Sequence, residues 1–376
     1  MLEDIITLSK QLIKLPSISP LDLGCQKIIS KRLKKIGFCI ENIKINDTNN
    51  LWAYKGTGKT LTFLGHTDVV PPGNVNDWNT DPFNPVIKNN FLFGRGSADM
   101  KCALSAMIIA TESFFKKFAS ISGRVSFLLT SDEESLGNDG TKKIIEILKS
   151  RNEKINYCLV GEPTSNLKVG DVIKNGRRGS ISAEIIFYGV QGHIAYPHLA
   201  NNPIHSSLNA IKDFINLKLD SGNNFFQPSS LQIFYIKSGK KNITNMIPSS
   251  IKVGLNIRYN TEITQEKIIM EINKILDKCK LHYQINWIFS GNPFLTNSGF
   301  LLKTVKKSIF EINKFIPKLS TSGGTSDGRF FTCMNSEIIE LGLVNKTIHK
   351  VNECVKINDL YLLSKIYTNI LKNLFI

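Results

Sequence analysis

Residues 125–135 read VSFLLTSDEES. The stretch opens as a short, mostly apolar run and passes into three acids, Asp132, Glu133 and Glu134. A run of this length, bounded by turn-forming residues, predicts a buried strand. The acids then stand where that strand leaves the core. The arrangement recurs. LTFLGHTDVV (61–70) predicts a strand running into His66 and Asp68, and YCLVGEPT (157–164) one running into Glu162. Between these lie stretches of helical length and spacing, ADMKCALSAMIIATESFFKKF (98–118) and GTKKIIEILKS (140–150). Strands alternating with helices predict an α/β fold, a mainly parallel sheet covered by helices. Ligands of such sheets bind beyond the carboxyl ends of the strands. Side chains far apart in sequence are therefore expected to converge there.

From about residue 179 the texture changes. SISAEIIFYGVQG (180–192), LQIFYIKSG (231–239) and SSIKVGLNIRYN (249–260) alternate like half-buried antiparallel strands. Two helix-like segments, 205–219 and 264–279, lie among them. The expected organisation is a catalytic domain in two parts, 1–178 and 293–376, interrupted by an inserted α+β domain at 179–292.

The chain of 376 residues is 42% hydrophobic and 21% charged, a globular balance. No apolar run reaches the roughly 18 residues of a membrane span. The N-terminal MLEDIITLSKQLIKLPSIS has apolar residues at helical spacing, without the basic start and apolar block of a signal peptide. The seven cysteines are scattered and never form a C-x-x-C pair, which argues against a disulfide framework or a thiolate zinc site. A reducing cytoplasm is the expected setting. The net charge of +16 raises the question of nucleic acid. The lysines are spread along the chain and form no stripe, so the charge reads as compositional and no nucleic-acid partner is expected.

Asp99, in GRGSADMK before a helix, and His349, in VNKTIHKVNE, join the residues at the strand ends. Imidazoles and carboxylates without thiolates suit zinc or a similar divalent ion. Two histidines and several acids exceed one tetrahedral ion and fit two ions sharing a carboxylate. Asp68, two residues from His66, is placed to orient its imidazole. Successive residues leaving a strand point different ways, so Glu133 and Glu134 are expected to serve different roles. Asp132 is expected only to shape their turn. Arg177, Arg178 and Arg258 offer planar forks for substrate carboxylates.

GHTDVVPPG, GRGSADMK, SDEES, GEPT, GVQGHIAYPH, SGGTSDGRF and VNKTIHKVNE together resemble the dinuclear zinc amidohydrolases of the M20 metallopeptidase group. The resemblance spans nearly the whole chain. It implies that His66 and His349 each bind one zinc and that Asp99 bridges both. Glu134 and Glu162 would complete one ion each. Glu133 would be the general base, and Asp68 would orient His66. The cofactors implied are two Zn2+ per subunit, with Co2+ possible in one site. The last two motifs narrow the implied reaction to hydrolysis of N-succinyl-LL-2,6-diaminopimelate to succinate and LL-2,6-diaminopimelate. Arg178, Arg258, Gly324, Thr325 and Asn345 would contact that substrate. His193, with Thr244 and Asn245, would reach the active site of a second subunit, which implies a homodimer whose inserted domain dimerises and closes as a lid. Three residues depart from the group's pattern: Cys102 for Gly, Leu343 for Pro and Met246 for Val or Ile. The rival readings are another amidohydrolase of the group, such as an acetylornithine deacetylase or an aminoacylase, and a non-catalytic regulatory or nucleic-acid-binding protein.

Overall fold

A computed structural model describes residues 1–135, 137–279 and 282–376. The chain forms two compact units. The first comprises Met1–Gly176, Leu295–Ser320 and Ser326–Ile376, the second Arg177–Phe294 and Thr321–Thr325. The short segment Thr321–Thr325, in a stretch the sequence assigns to the catalytic part, falls in the second unit.

The first unit is built on an eight-stranded sheet. Its strands, in spatial order, are Cys39–Ile45, Thr48–Gly56, Arg124–Thr130, Thr60–His66, Tyr157–Val160, Glu337–Glu340, Val172–Lys174 and Lys318–Ser320. The centre is parallel: Thr60–His66 lies between Arg124–Thr130 and Tyr157–Val160, and the latter pairs parallel with Glu337–Glu340. Thr60–His66 is buried along its whole length. With both faces covered, it carries no charged residue before His66. Helix Cys102–Lys117 is buried on nearly every side, and helices Leu2–Ile13 and Ile357–Phe375 contribute their apolar faces to the same core.

Register decides what meets at the carboxyl edge. His66 pairs with Thr130, and Leu64 with Val160. The residues just beyond each strand, Asp68, Glu133, Glu134 and Glu162, therefore emerge side by side. Two glycines make room for what lies beneath them. A Cβ on Gly65 would meet Met100 Cε at 2.6 Å, and one on Gly161 would meet it at 2.4 Å. Met100 can thus wedge under both strand ends and carry its neighbour Asp99 to the edge. Cys102, in place of glycine, is fully buried, and burial pushes its thiol up to about 12, so it packs as an inert small residue. Leu343, in place of proline, is likewise buried. All seven cysteines are free thiols.

The second unit has a four-stranded antiparallel sheet in the order Ser230–Ser238, Ser250–Tyr259, Gly179–Tyr188, Tyr283–Gly291. Helices Pro203–Asn216 and Gln265–Lys278 cover one face and close a separate core around Phe187, Phe214, Leu255 and Ile272. Among the described residues, no helix is long and apolar enough to cross a membrane.

Candidate metal centre

The carboxyl edge of the first unit carries a cluster of two imidazoles and four carboxylates. His66, Asp99 and Glu162 offer ligand atoms within 4.8 Å of one another, and so do Asp99, Glu134 and His349. Asp99 belongs to both groups and gives one oxygen to each. Its Oδ1 lies 3.1 Å from His66 Nε2, and its Oδ2 lies 3.3 Å from His349 Nε2. His66 Nε2 is also 3.6 Å from Glu162 Oε1, and His349 Nε2 is 3.1 Å from Glu134 Oε1. The two oxygens of a carboxylate point apart, so one side chain serves two neighbouring positions. Glu133 lies with His66 and Glu134 in a third grouping.

Asp68 faces His66 with both its main chain and its side chain. The partner of His66 Nδ1 is the Asp68 backbone carbonyl, at 2.9 Å, while the nearer carboxylate oxygen is 3.6 Å away. The carboxylate also accepts the backbone N–H groups of Glu133 (3.4 Å) and Glu134 (3.0 Å). Asp68 therefore holds the imidazole chiefly through its carbonyl, with its carboxylate charge beside the ring, and holds the two glutamates through its side chain. The carbonyl accepts a hydrogen bond from Nδ1–H, which leaves Nε2 as the lone-pair end of a neutral ring. Asp132 ties its own loop, accepting from the Ser135 hydroxyl and, at 3.0 Å, from the Asp139 N–H.

The acids crowd one another and the imidazoles. Burial, followed by the charge of Glu162, raises Glu133 well above the usual carboxyl range. Burial, followed by Asp99, does the same to Glu162. Burial alone would push His66 down, but its bonds to Asp68 and Asp99 hold it well above the usual imidazole value. Bonds to Asp99 and Glu134 lift His349 to about 10. So much negative charge calls for cations, and oxygen and imidazole donors without thiolates suit two divalent ones. Cations must displace the protons held here. Metal uptake at pH 7 is therefore expected to release protons, read calorimetrically as a heat that varies with the ionisation enthalpy of the buffer. The raised histidines set the sign: apparent affinity weakens as pH falls. A buffer-independent heat at pH 7 is the contrary result.

The other singled-out residues lie elsewhere in the chain. Asn345 follows Leu343, and its N–H bonds the Ser165 carbonyl at 2.9 Å. Gly324 and Thr325 belong to the second unit. Among the described residues nothing lies within 4 Å of a Cβ built on Gly324, and the buried Thr325 hydroxyl meets no hydrogen-bond partner. Arg177 is buried and donates to the Ser322 carbonyl at 2.9 Å, whereas Arg178 is half-buried. Arg258 lies on the face of its strand opposite Ile257 and Tyr259, its Nε donating to Asn256 Oδ1 at 3.1 Å. His193 pairs with Met246 in a two-stranded ribbon, and the Ile194 N–H bonds the Asn245 carbonyl, so the chain around His193, Thr244 and Asn245 forms one exposed structure. The Ala195 N–H donates to His193 Nδ1 at 3.1 Å, which leaves the proton of a neutral ring on Nε2.

Sequence reasoning passed over Glu353 and Arg95, which underlie the Asp99 loop, and Asp327, a buried acid 3.6 Å from Arg329. Glu353 and Asp327 lie inside motifs quoted above, but a lone acid in a motif does not announce what it touches.

The family model for "Peptidase family M20/M25/M40" matches residues 62–373. Succinyl-diaminopimelate desuccinylase from Buchnera aphidicola subsp. Acyrthosiphon pisum (strain APS) is 60% identical over 370 residues, 98% of each chain. The protein of that name from the Baizongia pistaciae subspecies is 55% identical over 371 residues, covering 99% of this chain and 98% of its own. An M20 metallo-carboxypeptidase from Sulfolobus solfataricus shares the fold with a TM-score of 0.81 at 19% identity, over 98% of both chains. A dinuclear metal-binding M20 peptidase from Bacillus subtilis does so at 0.74 and 14%, over 98% of this chain and 97% of its own. With the family's model spanning most of its length and relatives this close along all of it, the chain belongs to the peptidase family M20/M25/M40.

Proposed function

We propose that this protein is a two-metal amidohydrolase that cleaves the succinyl amide of N-succinyl-LL-2,6-diaminopimelate, releasing succinate and LL-2,6-diaminopimelate. The observation that carries the chemistry is the Asp99 carboxylate, which offers one oxygen toward each of two histidines. Relatives at 55–60% identity along the whole chain, named for this reaction, support the choice of substrate.

His66, Asp99 and Glu162 would hold one cation, and Asp99, Glu134 and His349 the other. Zn2+ suits both sites, and Co2+ or Mn2+ the same donors. When bound, the cations supply Lewis acidity: they polarise the amide carbonyl and acidify water. Asp68 holds the Glu133 and Glu134 main chain in place through its carboxylate. Glu133, which belongs to neither of these two ligand groupings, is the proton acceptor. It takes the proton of the attacking water and returns it to the amide nitrogen as the carbon–nitrogen bond breaks. Arg178, Arg258, Thr325, Gly324 and Asn345 orient the substrate, the arginines against its carboxylates.

The second unit serves in this reading as a lid and as the dimerisation surface. Its exposed apolar residues support the dimerisation part of that role: Leu208 and Ile215 on one helix, Phe234 and Ile236 on an edge strand. His193, with Thr244 and Asn245, is offered to the active site of a second copy, where His193 Nε2–H donates to the oxyanion formed on the substrate. His193→Ala is accordingly expected to fold, dimerise and take up metal normally but to lose roughly a hundred- to a thousandfold in kcat. Wild-type turnover in that variant removes the shared-site idea.

The decisive assay compares hydrolysis of N-succinyl-LL-diaminopimelate and N-acetylornithine, with and without chelator. Chelator-sensitive cleavage of the succinyl substrate, at a much higher kcat/KM, is expected. Preference for acetylornithine favours the rival amidohydrolase. No metal-dependent cleavage of either overturns the proposal.

A further inference from the structure

Four residues after His349, the buried carboxylate of Glu353 gathers the backbone that carries Asp99. Its Oε1 accepts the N–H groups of Ala98 (2.7 Å) and Asp99 (3.1 Å), and its Oε2 accepts the N–H of Gly96 at 3.0 Å. The fourth donor is Arg95 Nη1, at 2.8 Å. Glu353 is 1% exposed and Arg95 2%. The arginine also donates to the carbonyls of Lys350 (3.2 Å) and Pro71 (3.3 Å), and the Gly94 N–H bonds the Glu353 carbonyl at 3.0 Å.

This turn needs an acceptor of that kind. Asp99 and Met100 have non-helical backbone angles just before helix Cys102–Lys117, so the N–H groups of residues 96–99 stand outside the helical ladder. Buried N–H groups without partners are costly, and an anion near a helix N-terminus is favoured. Glu353 meets both demands at once. Gly96, with φ +83°, lies so close to Val69 that a Cβ would come within 2.6 Å of its side chain, so the turn is held tightly from the other side.

Glu353 and His349 share one tied loop. The Thr347 hydroxyl bonds the Cys354 carbonyl at 2.8 Å, and the Cys354 N–H bonds that hydroxyl in return. His349 and Asn352 both adopt left-handed backbone, φ 58° and 59°. That conformation is unfavourable for ordinary residues and persists where the surroundings over-determine it. One segment thus presents an imidazole to one oxygen of Asp99 and, four residues on, grips the main chain of the same aspartate.

We propose that Glu353 is a positioning residue for the metal centre: with Arg95 it sets the Asp99 turn so that one carboxylate faces His66 and His349 together. The inference rests on the two-cation reading above. A buried ion pair that only staples the fold would change stability and leave the metal affinity of the folded protein alone.

The test uses the full-length, metal-free protein and Co2+ as the probe. Wild type, Glu353→Gln and Glu353→Asp are titrated calorimetrically, with the visible absorption of the bound ion recorded and denaturant unfolding measured alongside. Wild type is expected to take up two ions. Glu353→Gln, matched in size, is expected to bind roughly 10–100-fold more weakly, the usual loss for an outer-shell partner, with an altered spectrum. Glu353→Asp keeps the charge but is a methylene short, and is expected to fall between; it decides the matter if the glutamine variant does not fold. Affinities within about threefold of wild type and an unchanged spectrum overturn the proposal, whatever happens to stability. A wild type that takes up fewer than two ions overturns the two-cation reading instead, and the proposal with it.

Discussion

Glu133→Gln is expected to retain its full complement of metal and to lose roughly a hundred- to ten-thousandfold in kcat, the range spanned by a positioned general base. Glutamine keeps the size of the side chain and one acceptor oxygen but cannot take a proton. Each metal grouping proposed for binding has its own donors without Glu133: His66, Asp99 and Glu162 in one, Asp99, Glu134 and His349 in the other. Uptake should therefore be unchanged, and KM nearly so. The backbone N–H of residue 133 still meets the Asp68 carboxylate, so the loop should keep its course. The measurement pairs metal quantification with steady-state kinetics. Normal turnover at full occupancy shows that some other group takes the proton. Lost metal shows that Glu133 is a ligand.

Asp99→Ala is expected to have the opposite signature, losing metal and activity together. Removing Glu134 or Glu162 strips one proposed position, whereas removing Asp99 strips both. Affinity for either ion should fall by more than about 100-fold, the upper end for loss of an outer-shell partner alone. The substitution has a second readout that requires no metal. Asp99 and then Glu134 lift the imidazole of His349 to about 10. With Asp99 gone, the protonated ring loses its first stabilising partner, so its value should drop toward that of an ordinary histidine. An NMR titration of His349 in the metal-free variant reads that drop. Two ions bound with wild-type affinity would rule out Asp99 as the shared ligand, and an unmoved His349 would rule out the pairing.

The strand and helix periods, and the residue types left at the strand ends, were local properties, and they were legible. VSFLLT and LTFLG carry no charged residue because both faces of their strands are covered, and His66, Glu133, Glu134 and Glu162 stand at the carboxyl edge, where ligands of such sheets bind. Donor chemistry was legible too: imidazole and carboxylate without paired cysteines already pointed to divalent cations. What the sequence by itself could not determine depends on contacts across the chain. The pairing of His66 with Thr130 is a matter of sheet register, set by packing of side chains that are distant in sequence. Asp68 reads as a partner for an imidazole, yet its carboxylate accepts N–H groups 65 and 66 residues away, and its carbonyl meets the ring. Glu353 reads as one acid in a polar loop. Its partners Gly96, Ala98 and Asp99 lie 254 to 257 residues earlier, and only the folded chain brings those N–H groups to it. Residue type determines which bonds a side chain can make. Tertiary structure alone decides which bonds it does make, because burial removes water as an alternative partner and leaves each polar group only its neighbours.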